Sequence, residues 1–418
     1  MKKVFFTIII PVFNSDKFIR KCISSIVNQN FQDFEVLIIN DGSTDKSKKI
    51  CQKFLLENPT KIKLFNNKRN LGVGVSRNVG LKSANGKYII FLDSDDYLIK
   101  NSLNSLQKKI KIKDYPDVVL NHIVQNKEPK SNIVNLNFFG KKKLSKKQFL
   151  AKLLEKNLLI NECWRIVVSN NLIQNNKIVF KNIKIAEDVS FIFKIFILMK
   201  NITINEKKFL FHSSRLNSLK YTKGVDSALA YYVVFLELQE YKKKFKKDKK
   251  IINFLNFKSN NMITNIRIYF TLLNRKEIIK LKNKFNKIKD FKKNIVDKKK
   301  FILSIINDSE KKVVNFLKLK KTHGQNITIY CAGIMTQSII KILKKNDIQV
   351  KNIIDDDPMW IGRKLMNINV EKISILNNSN KKNNLIMICN LSKKVINNIK
   401  IKLLKLKLNN KQILSFSL

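Results

Sequence analysis

The sequence is short of acid: its 418 residues carry 31 Asp and Glu against 83 Lys and Arg, a formal net charge of +52. It has only 10 Gly, 5 Pro and 2 Trp, and its 5 Cys, at positions 22, 51, 163, 331 and 389, are scattered and odd in number. Such cysteines form neither a disulfide framework nor a zinc pattern, so they read as reduced core residues. No stretch reaches the roughly 18 consecutive apolar residues that a membrane-spanning helix needs. The opening MKKVFFTIIIPVF has the hydropathy of a signal peptide, but Thr7 interrupts the run and no small-residue cleavage site follows. That run is needed as a first strand, and the protein is expected to stay in the cytoplasm. With 44% apolar residues the chain is not disordered, and its length suits two or three domains.

The scarce acids cluster where they are least expected. Tyr88 to Leu98 reads YIIFLDSDDYL, four apolar residues of a buried-type strand followed by Asp93, Asp95 and Asp96. Like charges this close repel, and need a cation or a network of donors to hold them. Oxygen ligands suit Mg2+ or Mn2+, hard ions that keep waters and complete their shells from substrate phosphates. The plainer alternative is an acidic turn before a helix N-terminus, where the dipole favours carboxylates.

The flanking pattern is α/β. Val4 to Ile10 is an apolar run closed by Pro11 and Asn14, and the helix after it carries Phe18, Ile19, Cys22, Ile23, Ile26 and Val27 at helical spacing. Phe34 to Ile39 is a second strand ending in Asn40, Asp41, Gly42 and Ser43. Ile62 to Phe65 is a third, and RNLGVGVSRNVGL is a glycine-punctuated loop entering a helix. Strand alternating with helix predicts a parallel sheet, whose ligands lie beyond the C-terminal strand ends. Asn14, Asp41 and Asp93 each follow such an end.

The order PVFN, EVLIINDGSTD, NLGVGVSRNVG and FLDSDD resembles the family 2 glycosyltransferases, bacterial enzymes with a GT-A fold. The resemblance implies a Rossmann-like mixed sheet and an inverting transferase that uses a nucleotide-diphosphate sugar, UDP being the usual nucleotide. By position, Pro11, Val12 and Asn14 would line the nucleoside pocket, Asp41 would bond the base, and Arg77 would approach the diphosphate. Asp93 and Ser94 would contact the nucleotide sugar, and Asp93 and Asp95 the metal.

Inversion also needs a base for the acceptor hydroxyl. KIAEDVSFIFKIF, 184–196, resembles the family's Glu-Asp motif, which makes Asp188 the expected base and Glu187 its orienting neighbour. The simpler alternative is that Asp188 only caps a helix. ECWRIVVSN, 162–170, looks like the family's tryptophan-containing stretch and makes Trp164 the candidate for stacking on an acceptor sugar. His212, in FLFHSSRLNSLKY, stands where some relatives place a third metal ligand or a diphosphate contact.

The remaining chain is less informative. Residues 111–150, rich in Lys and Asn, read as a variable insertion or loop facing the acceptor. We expect a transferase domain over 1–225, a Lys-rich helical segment over 226–322 and a small Rossmann-like α/β domain over 323–418. The helical segment includes KKKFKKDKK and KLKNKFNKIKDFKK. Such basic amphipathic helices either lie on anionic lipid at the inner membrane surface or form the solvated face of a soluble bundle. In the last domain, Cys331 stands where dinucleotide-binding turns have glycine, leaving Gly333, with Asp355 placed to meet a ribose. The expected acceptor is a glycan or lipid-linked glycan of the cell surface, such as capsule or lipooligosaccharide. The competing class is a basic nucleic-acid- or membrane-binding protein without catalysis, whose charge would attract phosphate. No recognised nucleic-acid module is present, and nucleic acid is not an expected partner.

Overall fold

A computed structural model describes residues 4–125, 136–140, 142–213, 224–274, 276–277, 279–281, 326–332, 334–357, 360–377, 384–389, 393–406, 408 and 412–416. The chain forms two compact units, one of Met1–Arg215 with Val233–Asn260, the other of Leu216–Tyr232 with Asn261–Leu418.

In the first unit β1 (Phe6–Val12), α1 (Ile19–Val27), β2 (Phe34–Asn40), α2 (Ser47–Glu57), β3 (Ile62–Asn66), α3 (Val73–Ser83) and β4 (Tyr88–Phe91) alternate as expected. β1 and β2 are buried at every position, which is why they read as continuous apolar runs rather than alternating ones. β1, β2, β3 and β4 pair in parallel, with Val12 opposite Asn40, Asn40 opposite Asn66, and Ile9 opposite Phe91. This register brings the residues after each strand to one edge.

The sheet then turns mixed. β5 (Tyr97–Leu98), α4 (Ser102–Ile112), β6 (Val118–Gln125), β7 (Leu144–Ser145), α5 (Lys146–Glu155), β8 (Ile166–Ser169), α6 (Asn170–Asn175), α7 (Glu187–Leu198) and β9 (Asn201–His212) follow. The path through the sheet is β3-β2-β1-β4-β8-β6-β9-β5, with β7 paired to β9. β8 runs antiparallel to both β4 and β6. The expectation of a loop over 111–150 is therefore corrected: β6 is an interior strand whose Val118, Val119 and Leu120 are buried. Its signal is lost among flanking lysines and behind Asp114, Tyr115 and Pro116. Residues 126–135 lie outside the described residues.

One polar contact inside the sheet fixes its entry edge. Glu35, buried on β2, accepts from Thr7 Oγ1 at 2.7 Å and from the Asn85 backbone at 2.7 Å, and pairs with Lys63 at 3.1 Å. The Thr7 hydroxyl in turn accepts from Gly86 N at 2.8 Å. These bonds outweigh the cost of burial and hold the Glu35 carboxyl below its usual range.

α8 (Val225–Lys244) and α9 (Lys249–Leu272) occupy the start of the expected Lys-rich segment. Most of that segment's second half, 282–322, lies outside the described residues. Within the first unit Glu237 of α8 is buried and accepts from Ser190 Oγ at 2.5 Å and Lys194 Nζ at 3.4 Å, both on α7. Among the described residues no helix is long and apolar enough to cross a membrane.

The second unit contains β10 (Asn326–Tyr330), α10 (Ile334–Lys345), β11 (Val350–Ile354), β12 (Lys364–Leu365), β13 (Ile368–Glu371), β14 (Asn384–Cys389), α11 (Lys393–Lys405) and β15 (Ile413–Phe416). Its sheet order is β12-β13-β11-β10-β14-β15, parallel except for β12. Gly333 lies outside the described residues. Asp355, rather than standing open, accepts from Ala332 N at 2.5 Å and Asp357 N at 2.8 Å.

Candidate active site

The site is built at the C-terminal edge of the parallel strands. Asn14, with φ 45°, leaves β1 in the left-handed region that Asn tolerates. Its Oδ1 accepts from Thr44 N at 2.9 Å, tying the exit of β1 to that of β2. Pro11 and Val12 are buried within β1. Ser94, after β4, shares a 2.7 Å hydrogen bond with Ser15, whose backbone N–H donates to Ser47 Oγ at 2.7 Å. Three strand ends are thus stitched together by small polar side chains.

Asp41 is 3% exposed. Its carboxylate accepts from Asn67 Nδ2 at 2.7 Å, Leu71 N at 2.9 Å and Gly72 N at 2.9 Å, so it holds the loop that enters α3. Gly42 beside it has φ +70°, and a Cβ there would stand 2.6 Å from the Arg69 carbonyl carbon. No other residue type fits that approach.

Arg77, on α3 and 3% exposed, joins the two acidic motifs. Its Nη2 donates to Asp93 Oδ1 at 2.8 Å and its Nη1 to Glu187 Oε1 at 2.8 Å. Its buried Nε has no hydrogen-bond partner among the described residues. Gly74 permits the bridge: a Cβ there would stand 2.9 Å from Lys181 O and 3.1 Å from Glu187 Cγ. Glycine at that position lets the first turn of α3 press against α7.

α7 begins under strain. Ala186 has φ 62°, a conformation costly for any residue with a Cβ, and its side chain cannot cap the helix. Glu187 and Asp188 follow in the first turn. Burial raises the Glu187 carboxyl above its usual range, with Arg77 opposing. Burial and the neighbouring Glu187 charge hold Asp188 well above the ordinary aspartate range. Asp188 Oδ1 accepts from Val189 N at 2.9 Å.

Asp96 is buried at 1% exposure, and both its oxygens lie 3.0 Å from His212 Nδ1. Burial raises its pKa to about 6 despite that bond. Burial alone would lower His212, but the bond and charge of Asp96 raise it. The His212 ring stacks on Trp164 with centroids 4.3 Å apart and 18° between planes. Trp164, only 6% exposed, thus gives one face to His212. Asp96 was named in the reading of the acidic turn but given no role there. The doubled Asp was visible in the sequence, but its histidine partner is 116 residues away.

Among the described residues no group of three or more His, Cys, Asp or Glu side chains is arranged to hold a metal ion. Asp93 and the part-buried Asp95 nevertheless supply the carboxylate oxygens that a hard divalent cation prefers. With Nδ1 facing Asp96, His212 keeps Nε2 as its other ligating nitrogen, the carboxylate–imidazole arrangement common behind metal-bound histidines. The chemistry of these donors suits such an ion, although among the described residues they are not gathered into one cluster.

Residues 7–168 match Glycosyl transferase family 2. Glycosyltransferase GlyA of Streptococcus pneumoniae serotype 4 is 40% identical over 104 residues, 25% of this chain and 15% of its own. The minor teichoic acid biosynthesis protein GgaB of Bacillus subtilis is 31% identical over 209 residues, 49% of this chain and 21% of its own. The chain thus spans less than a quarter of the length of either relative. The crystal structure of Staphylococcus aureus TarS 1-349 in complex with UDP-GlcNAc superposes with a TM-score of 0.52 at 24% identity, covering 67% of this chain and 79% of that one. Residues 7–168 thus match glycosyl transferase family 2, and the chain has the GT-A fold.

Proposed function

We propose that the protein is an inverting, metal-dependent glycosyltransferase that moves a sugar from a UDP-sugar to a hydroxyl of a bacterial cell-surface glycan. The observation that carries the reading is Arg77, buried between Asp93 and Glu187 at 2.8 Å from each. It ties the acidic turn beyond β4 to the pair at the start of α7, so donor and acceptor chemistry share one edge.

Each residue then has a task. Asn14, with the Pro11–Val12 backbone and the loop held by Asp41, borders the nucleoside. Ser94 contacts the nucleotide sugar. Asp93, Asp95 and His212 would hold Mg2+ or Mn2+, which would neutralise the charge developing on the departing diphosphate. Asp188 takes the proton of the acceptor hydroxyl as oxygen attacks the anomeric carbon from the face opposite the diphosphate, which gives inversion. Its raised pKa makes the carboxylate a stronger base for the proton it must accept. Glu187, fixed by Arg77, orients the turn that carries Asp188. Trp164 steadies His212 with one face and lines the acceptor side.

The acceptor class is supported by GgaB, named for a teichoic acid, a surface polymer. The net charge of +52 supports peripheral attachment to an anionic inner membrane surface, where a lipid-linked acceptor would be found. The small C-terminal α/β domain is assigned a structural or docking role rather than catalysis.

The test is thermal shift with UDP, GDP and CDP, each with Mn2+ or EDTA, followed by a screen of nucleotide sugars for slow hydrolysis. Stabilisation by one nucleotide only with metal, and cleavage of its sugar, is the expected result. Stabilisation by DNA instead, steeply lost with salt, would replace the enzyme by a basic binding protein.

A further inference from the structure

Lys258, on α9, is fully buried at 0% exposure, where lysine is rarely found unpaired. Its Nζ donates to the Ile160 carbonyl at 2.9 Å and to Asn161 Oδ1 at 2.5 Å. Burial lowers its pKa to about 7, against the opposing charges of Glu162, from the segment before β8, and Asp188, from α7. These are the two charged groups that act on it.

A lysine here is poorly explained by packing. An apolar side chain of similar length would fill the space without desolvating an ammonium. The charge sits where it is useful: under the segment 160–162, directly before the Cys163–Arg165 turn that carries Trp164, and within electrostatic reach of Asp188. Lys258 thus fixes the chain immediately ahead of the turn that carries Trp164.

We propose that Lys258 is a positioning residue for glycosyl transfer, its ammonium holding Ile160 and Asn161 in place ahead of the turn that carries Trp164 and keeping a positive charge within reach of Asp188. The proposal rests on the transferase reading and names a residue outside its acidic motifs.

The full chain is assayed for hydrolysis of the UDP-sugar that it cleaves, with water in place of the acceptor hydroxyl, across a pH series, and for UDP affinity with Mn2+. Lys258→Met should slow turnover roughly tenfold, a modest share of what a general base contributes. It should also move the acid limb of the pH profile upward by about one unit, since a favourable charge has been removed, while UDP affinity stays within about twofold. Lys258→Arg, which keeps the charge, should restore the wild-type midpoint. Asn161→Ala, which keeps the ammonium but removes one acceptor, should slow turnover without moving the midpoint, and it carries the test if Lys258→Met fails to fold. Wild-type rate and pH midpoint in Lys258→Met overturn the proposal, as does wild-type rate in Asn161→Ala. Equal loss of UDP binding and turnover in Lys258→Met and Lys258→Arg also overturns it, because the role would then be structural. A wild-type chain that cleaves no nucleotide sugar defeats the transferase reading itself, a different outcome.

Discussion

Arg77 Nη2 lies 2.8 Å from Asp93 Oδ1, joining α3 to the turn beyond β4. Its other terminal nitrogen reaches Glu187 on α7 at the same distance of 2.8 Å. A planar guanidinium can span two carboxylates in fixed geometry, and a lysine cannot. Arg77→Lys should therefore keep the charge but lose the bridge, lowering donor hydrolysis by roughly 10- to 100-fold, as a misplacement of about 1 Å does. Arg77→Met leaves Glu187 buried and unpaired and should cost about 3–5 kcal/mol in urea unfolding. Wild-type turnover in Arg77→Lys would show that the bridge is dispensable.

Asp188 makes opposite demands on stability and turnover. Its folded-state pKa lies above the ordinary value of 3.8. Between those two values the native state binds more protons than the unfolded one, so wild-type stability falls as pH rises. Asn cannot titrate. Asp188→Asn should therefore become more stable relative to wild type from pH 4 upward, while transfer is abolished and UDP affinity is nearly unchanged. Melting curves over pH 4–8 read the first effect and turnover the second. A stability gap that does not change with pH would remove the buried-carboxylate account, and wild-type turnover would remove the base assignment.

The parallel half of the fold was legible because its strands are buried on both faces and so stand out as apolar runs. Phe34–Asn40 was expected to end one residue earlier, at Ile39. The antiparallel half was harder. β6 hides its apolar residues between lysines and a proline, and it is recognisable only by pairing with β8 and β9, far away in sequence. At the site, the acidic motifs were legible but their partners were not. Arg77 was expected near a diphosphate, and the carboxylates that hold it come from positions 93 and 187. Lys258 carried no signal at all, being one of 83 basic residues in the chain.

Asp95 separates metal dependence from fold. It is part-buried between Ser94 and Asp96, and the Arg77 bridge is made by Asp93 and the His212 bond by Asp96, so neither runs through Asp95. Asp95→Ala should fold with a melting temperature close to wild type in EDTA, yet show no gain in UDP-dependent stabilisation when Mn2+ is added. Wild type should gain it. If both proteins respond equally to Mn2+, Asp95 is not a ligand.

Gly74 tests whether the closeness of α3 to α7 matters for chemistry rather than packing alone. A methyl group at this position meets Lys181 O at 2.9 Å and Glu187 Cγ at 3.1 Å, and the first of these is backbone that cannot rotate away. In an exposed helix Gly→Ala stabilises by about 0.5–1 kcal/mol through propensity. Here overpacking, typically about 1–3 kcal/mol, should outweigh it and shift α3 outward. Gly74→Ala is thus expected to unfold at lower urea than wild type and to lose turnover in proportion to the loosened Arg77–Glu187 contact. Gly80→Ala provides the control. It clashes with the buried, β-branched side chain of Ile9, at 2.5 Å from Cγ2, on the sheet side of the same helix, and should cost stability with a smaller loss of turnover. If the two variants lose activity equally for equal loss of stability, the close approach at Gly74 serves the fold and not the site.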